Sequence, residues 1–217
     1  MRFRPSVALL AGAAALSLAV AVPAQAASQV VLTSGHVDVV DVEYADGGFE
    51  LHVHDETVDP GVERDPADVL FRVPVAAKTT VPDDPAYSFL GTAGKPVWVL
   101  PQVEDPNLLF AGFATEEVPA GVFAGEQVTL KLCGATGPGR VSVFTTDPFG
   151  APTVVFNSGD GLPDATNLAV GTHTHANWSF AKPGTYKLRF TVSGKVAATN
   201  QAIASEPITV TFSVLGS

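Results

Sequence analysis

From residue 36 onward the chain alternates between apolar and polar positions. "HVDVVDVEY" (36–44) sets β-branched residues against polar ones, and its alternation slips at Val39-Val40, which predicts a β-bulge. "ADGG" (45–48) follows, and Asp-Gly tolerates the positive φ that a tight hairpin turn needs. "FELHVHDE" (49–56) returns as the second strand. Further strands are predicted at 68–74, 96–101, 126–134, 139–147, 152–158, 173–180, 185–194 and 207–216, with turns at "TGPGR", "DPFGAP" and "AKPGTY". Residues 81–96 and 104–123 read as longer connections whose aromatic side chains pack against the body, and 157–172 as a polar loop. Many short strands at this spacing, with no convincing helix, predict an all-β fold: a single antiparallel β-sandwich, Ig-like, with long ordered loops and little helix.

The N-terminus has a different pattern. Arg2 and Arg4 precede an apolar run (7–22), and Ala24-Gln25-Ala26 has the A-x-A form of a cleavage site. Residues 1–26 are therefore expected to be a secretory signal, leaving 27–217 as one sandwich domain of about 190 residues, enough for a sizeable core. No second apolar stretch of spanning length follows, so the mature chain is expected to have no membrane span. It is expected to be secreted or associated with the cell surface.

Composition narrows the partners. Acidic residues outnumber basic ones 22 to 12, a balance that repels nucleic acid and favours cations, and no basic stripe stands against it. The single cysteine, Cys133, forbids an internal disulfide. Its place in an alternating segment predicts a small buried hydrophobe, with an intermolecular bridge or a metal ligand as the alternatives.

All five histidines fall in two clusters. In a strand, alternate side chains share a face. Phe49, Leu51 and Val53 form an apolar face, and Glu50, His52 and His54 lie opposite. Folding the hairpin about "ADGG" sets Asp41 across from His52. With a one-residue bulge, Asp38 comes beside His54 and His36 lies just beyond. Downstream, His173, His175 and Asn177 point away from Ala176, Trp178 and Phe180. Two H-x-H pairs converging on one point supply up to four imidazole nitrogens, good ligands for zinc or copper at about 2.0–2.1 Å for zinc. Nearby carboxylates would orient the rings. The expected metal ligands are His52, His54, His173 and His175, with His36 as a fifth or alternative. Asp38, Asp41 and Glu56 are expected as supporting or substitute ligands.

Other features point elsewhere. Asp160 and Asp164 lack an EF-hand pattern and read as loop-capping residues. Trp98 and Trp178 read as core. No G-x-S-x-G motif and no distinctive carboxylate pair is present.

Several segments resemble the actinobacterial surface-anchored protein domain, or choice-of-anchor M domain. They are "GHVDV", "LHVHDE", "DPAYSFLGTAGKPVWVLPQ", "LFAGFATEEVPAGVFAGEQVTLKL", "NSGDGLPDA" and "HTHANWSFAKPGTYKLRF", which together span roughly residues 29–192. The resemblance implies a secreted or wall-associated protein linked to ABC transporters that resemble metal-uptake systems. In this chain no covalent anchor is expected.

The functional expectation is a module that binds a transition metal, zinc first and copper or manganese next. It would capture the ion or deliver it to an ABC transporter component or another surface protein. Two alternatives stand beside it: a structural or adhesion module without metal, and a metal-dependent hydrolase with an open coordination position. The enzyme is disfavoured because no general base stands out.

Overall fold

The computed structural model describes residues 29–216; the expected signal segment lies outside the described residues. In chain order the strands are β1 (Val30–Leu32), β2 (Gly35–Ala45), β3 (Gly48–Asp55), β4 (Val62–Arg64), β5 (Val69–Val73), β6 (Lys78–Thr80), β7 (Pro96–Leu100), β8 (Leu109–Ala114) and β9 (Gln127–Thr136). They continue with β10 (Val141–Thr146), β11 (Pro152–Asn157), β12 (Asp164–Ala169), β13 (His173–His175), β14 (Asn177–Phe180), β15 (Gly184–Lys195), β16 (Ala202–Ala204) and β17 (Ile208–Val214). The helix among the described residues consists of short 3-10 turns. The fold is all-β, as the alternating pattern predicts.

The strands form three sheets. A large one has the order β1-β5-β17-β15-β9-β12 with β16 beside β15, a second has β11-β10-β14-β7-β6, and a third has β13-β8-β2-β3-β4. The expectation of purely antiparallel pairing is corrected here. β5 runs parallel to both β1 and β17, and β8 runs parallel to β2. The second sheet is antiparallel throughout.

One apolar cluster joins the three sheets. Val37, Val39, Val53, Leu109 and Ala111 come from the third sheet, Phe190 and Phe212 from the large one, and Trp178 and Phe180 from the second. Trp98 and Trp178 are core residues, as expected. Cys133 is not: the inward positions of β9 belong to Val128, Leu130 and Leu132, so Cys133 points outward, half-buried, with Sγ 3.2 Å from Thr191 Oγ1.

Three further expectations are revised. Residues 104–123 hold a strand, β8, in addition to turns. Residues 157–172 hold β12, which pairs with β9. The stretch 173–180 is two strands in different sheets, β13 against β8 and β14 against β10 and β7, with buried Ala176 at the break. The 81–96 connection packs on the body as expected, through buried Leu90 and the rings of Tyr87 and Phe89 against Phe144.

Candidate metal centre

The third sheet carries both histidine clusters. β2 is its middle strand, flanked by β8 and β3. The β2–β3 hairpin closes with positive φ at Asp46 and Gly47, and its register pairs Asp38 with His54 and Asp41 with His52. The bulge falls between Asp38 and Asp41, where Val39 and Val40 are both fully buried. That extra residue keeps Asp38 and Asp41 on one outer face although they are three positions apart.

β13 completes the face. Its register sets His173 beside Ala114 and His175 beside Gly112, while β8 sets Gly112 beside Asp38 and Ala114 beside Asp41. The outward positions of β8 are thus Phe110, Gly112 and Ala114. Two small residues form a trough over which the β13 rings reach β2. A Cβ on Gly112 would lie 2.7 Å from Asp38 Oδ1 and 3.2 Å from His175 Cε1, so this floor admits no side chain. Phe110 walls one end: its ring stacks on His175 with centroids 3.4 Å apart and planes within 6°.

Ring nitrogens of His36, His173 and His175 lie within 4.8 Å of one another. His36 Nε2 is 3.0 Å from His173 Nε2. On its other side His36 Nδ1 donates to Glu56 Oε2 at 2.7 Å, a contact that fixes the ring with Nε2 facing the cluster. Asp38 Oδ1 stands 2.9 Å from His173 Nε2, off the direction of a hydrogen bond, and is left without a partner. His175 Nδ1 is likewise buried and unpartnered.

His54 and His52 stand apart from this triad. His54 Nδ1 bonds Glu63 Oε1 and lies 3.8 Å from Asp41 Oδ2. Its Nε2 is 3.6 Å from Glu56 Oε1. The buried Asp41 Oδ1 has no partner. His52, farther along β3, faces Glu43 at 3.5 Å and Glu50 at 3.6 Å. The expected convergence therefore involves His36, His173 and His175, with His36 central rather than accessory. Glu63, Glu116 and Gly112 were not singled out from sequence. Glu116 Oε2 lies 3.7 Å from His173 Nδ1.

Burial sets the electrostatics. It raises Asp38 to about 6 against the opposing pull of His36 and His54. It raises Asp41 to about 7, reinforced by Glu63, Asp38 and Glu117. It pushes His175 down to about 4, helped by His173 and His36, so that ring is neutral at physiological pH. Burial also acts to lower His54, but Glu63, Asp41 and Glu56 outweigh it and hold that imidazole above its ordinary value. The hydrogen bond from His36 holds Glu56 below the usual glutamate range.

A transition metal fits this arrangement. Three imidazoles with an adjacent carboxylate are a donor set for zinc, copper or manganese, and a bound cation would satisfy the buried oxygen left orphaned on Asp38 beside His173. The loop-capping role of Asp160 and Asp164 holds: Asp160 Oδ2 accepts from Asn157 Nδ2, and Asp164 Oδ2 from the Asn157 backbone N–H. No protein-family model matches the chain, and no curated protein matches it.

Proposed function

We propose that the protein is a secreted, cell-surface metal-binding module of the choice-of-anchor M type, built as one Ig-like sandwich. His36, His173 and His175 hold the ion with Asp38, and Glu56 orients His36. Zinc is the first choice and copper or manganese the next. The module captures the ion or delivers it to a surface partner such as an ABC-type uptake component, and it is not an enzyme.

One observation carries the metal assignment: nitrogens from β2 and β13, brought together across β8, lie within 4.8 Å beside a buried carboxylate oxygen that has no partner. The exposed mouth of Glu56, Glu63 and Glu116 suits cation entry. The Ig-like assignment draws on Tyr186, whose buried ring sits at a strand start and whose hydroxyl donates back to Lys182 O at 2.7 Å.

The alternative is a structural or adhesion module of the cell surface that holds no metal. Titration of tag-free protein with zinc and copper separates the two. Loss of about one metal equivalent in a His36→Ala, His173→Ala, His175→Ala triple variant supports the module proposed first. An equal metal content in that variant contradicts it.

A further inference from the structure

Beside the histidine triad lies a second set of donors. Asp41, His54 and Glu63 come from β2, β3 and β4, and each offers a donor atom within 4.8 Å of the other two. Asp41 and His54 border a cleft of about 130 Å³ that Asp38, Glu56, Glu116 and Glu117 also line, with Ala114 as its apolar member. Asp41 is only 3% exposed and its Oδ1 has no hydrogen-bond partner. A buried carboxylate oxygen in that state is costly unless something cationic meets it. His54, bonded to Glu63 through Nδ1, reaches Asp41 only at 3.8 Å and through its other oxygen.

Glu56 connects this set to the triad. Its Oε2 accepts from His36 Nδ1, while its Oε1 lies 3.6 Å from His54 Nε2. In each ring the nitrogen facing Glu56 is the one turned away from that ring's own cluster: His36 presents Nε2 to His173, and His54 presents Nδ1 to Asp41 and Glu63. One carboxylate thus backs two imidazoles that serve different clusters. Gly61 keeps this arrangement open, since a Cβ there would lie 2.9 Å from His54 Nε2 and 3.3 Å from Glu56 Cγ.

We propose that Asp41, His54 and Glu63 form a second divalent-cation site, coupled to the histidine site through Glu56. This rests on the metal-binding function proposed above. The donor sets differ: the first site is mostly imidazole, the second mostly carboxylate. The second is therefore the harder and less copper-selective of the two and accepts manganese as well as zinc. Two neighbouring sites of graded softness on one open face suit a surface module that takes up an ion at one site and passes it to the other.

Zinc and manganese titrations of the tag-free chain, stripped with chelator and followed by calorimetry and elemental analysis, test this. Glu63 lies on a short edge strand, so Glu63→Gln leaves the core untouched. The expected result is one zinc equivalent fewer in Glu63→Gln than in wild type, with one manganese equivalent lost as well, and weaker zinc binding at both sites in Glu56→Gln. If wild type binds zinc and Glu63→Gln binds the same number of equivalents, the second site is overturned while the first stands. If wild type binds neither metal, the metal function itself fails, and this site with it.

Discussion

His36 and His173, 137 positions apart in the chain, face each other with their Nε2 atoms 3.0 Å apart. In the metal-free protein only one of the two can donate, and the His36–Glu56 hydrogen bond assigns the His36 proton to Nδ1. His36 Nε2 is then a lone pair, and His173 must carry the shared proton. A metal replaces that proton and binds both nitrogens, so binding releases protons.

Removing ligands from β13 separates this centre from the rest of the acidic face. His173→Ala combined with His175→Ala is expected to weaken zinc binding by about 100-fold or more, since deletion of groups that merely support ligands already costs about 10–100-fold. His52→Ala, whose partners are Glu43 and Glu50, is expected to leave that affinity within about threefold, as befits a position outside the shared network. Calorimetric titration of both variants checks the contrast.

Gly112→Ala tests the floor. The added methyl meets Asp38 Oδ1 at 2.7 Å and Thr174 O at 3.1 Å, and both belong to strands held by their neighbours. A loss of roughly 1–3 kcal/mol in urea unfolding is expected from overpacking, together with weaker zinc binding as Asp38 and His175 are pushed apart. Unchanged affinity would show that the trough does not shape the centre.

Asp41 predicts a pH effect on the metal-free protein. Its pKa is raised to about 7, by burial first and then by Glu63, Asp38 and Glu117. The fold thus holds this proton more tightly than the unfolded chain does. The contribution to stability is complete below the ordinary carboxylate pKa and is lost as pH rises through about 7. Asp41→Asn removes that titration. The variant should match wild type near pH 4 and exceed it by roughly 2–4 kcal/mol at pH 8, measured without metal. Saturating zinc or manganese should reverse the order at pH 8, because only the carboxylate binds the cation.

Acid is expected to release the ion through the carboxylate. Burial keeps His175 near 4, so this ring stays a competent ligand to low pH, whereas Asp38, raised to about 6, takes up a proton between pH 7 and 5. Zinc affinity should fall by at least about tenfold over that range. Titrations in buffers of different ionisation enthalpy should reveal protons released on binding at pH 6.

Much of this face was legible from residue order. Val39-Val40 marked the bulge, and the Asp-Gly turn fixed a register that pairs Asp41 with His52 and Asp38 with His54. β8 was not legible. Its segment "LFAGFA" has no β-branched residue and no polar alternation, because its outward positions are Phe110, Gly112 and Ala114, the last two kept small beneath the histidine rings. Without β8, neither the parallel pairing nor the side on which β13 docks follows from local pattern. The break at Ala176 was hidden for a related reason: His173 to Phe180 alternate continuously, yet two sheets share them. His52 and His54 looked equivalent as an H-x-H pair. The edge strand β4 separates them by bringing Glu63 to His54.

Elemental analysis of chelator-free, tag-free protein tests the metal centre most directly. The account predicts near-stoichiometric zinc, copper or manganese at the histidine centre, so that metal content falls by about one equivalent in the His173→Ala, His175→Ala variant, and a melting temperature that drops on chelation. Protein that carries no transition metal, takes none up from solution and melts at the same temperature with or without chelator would contradict it.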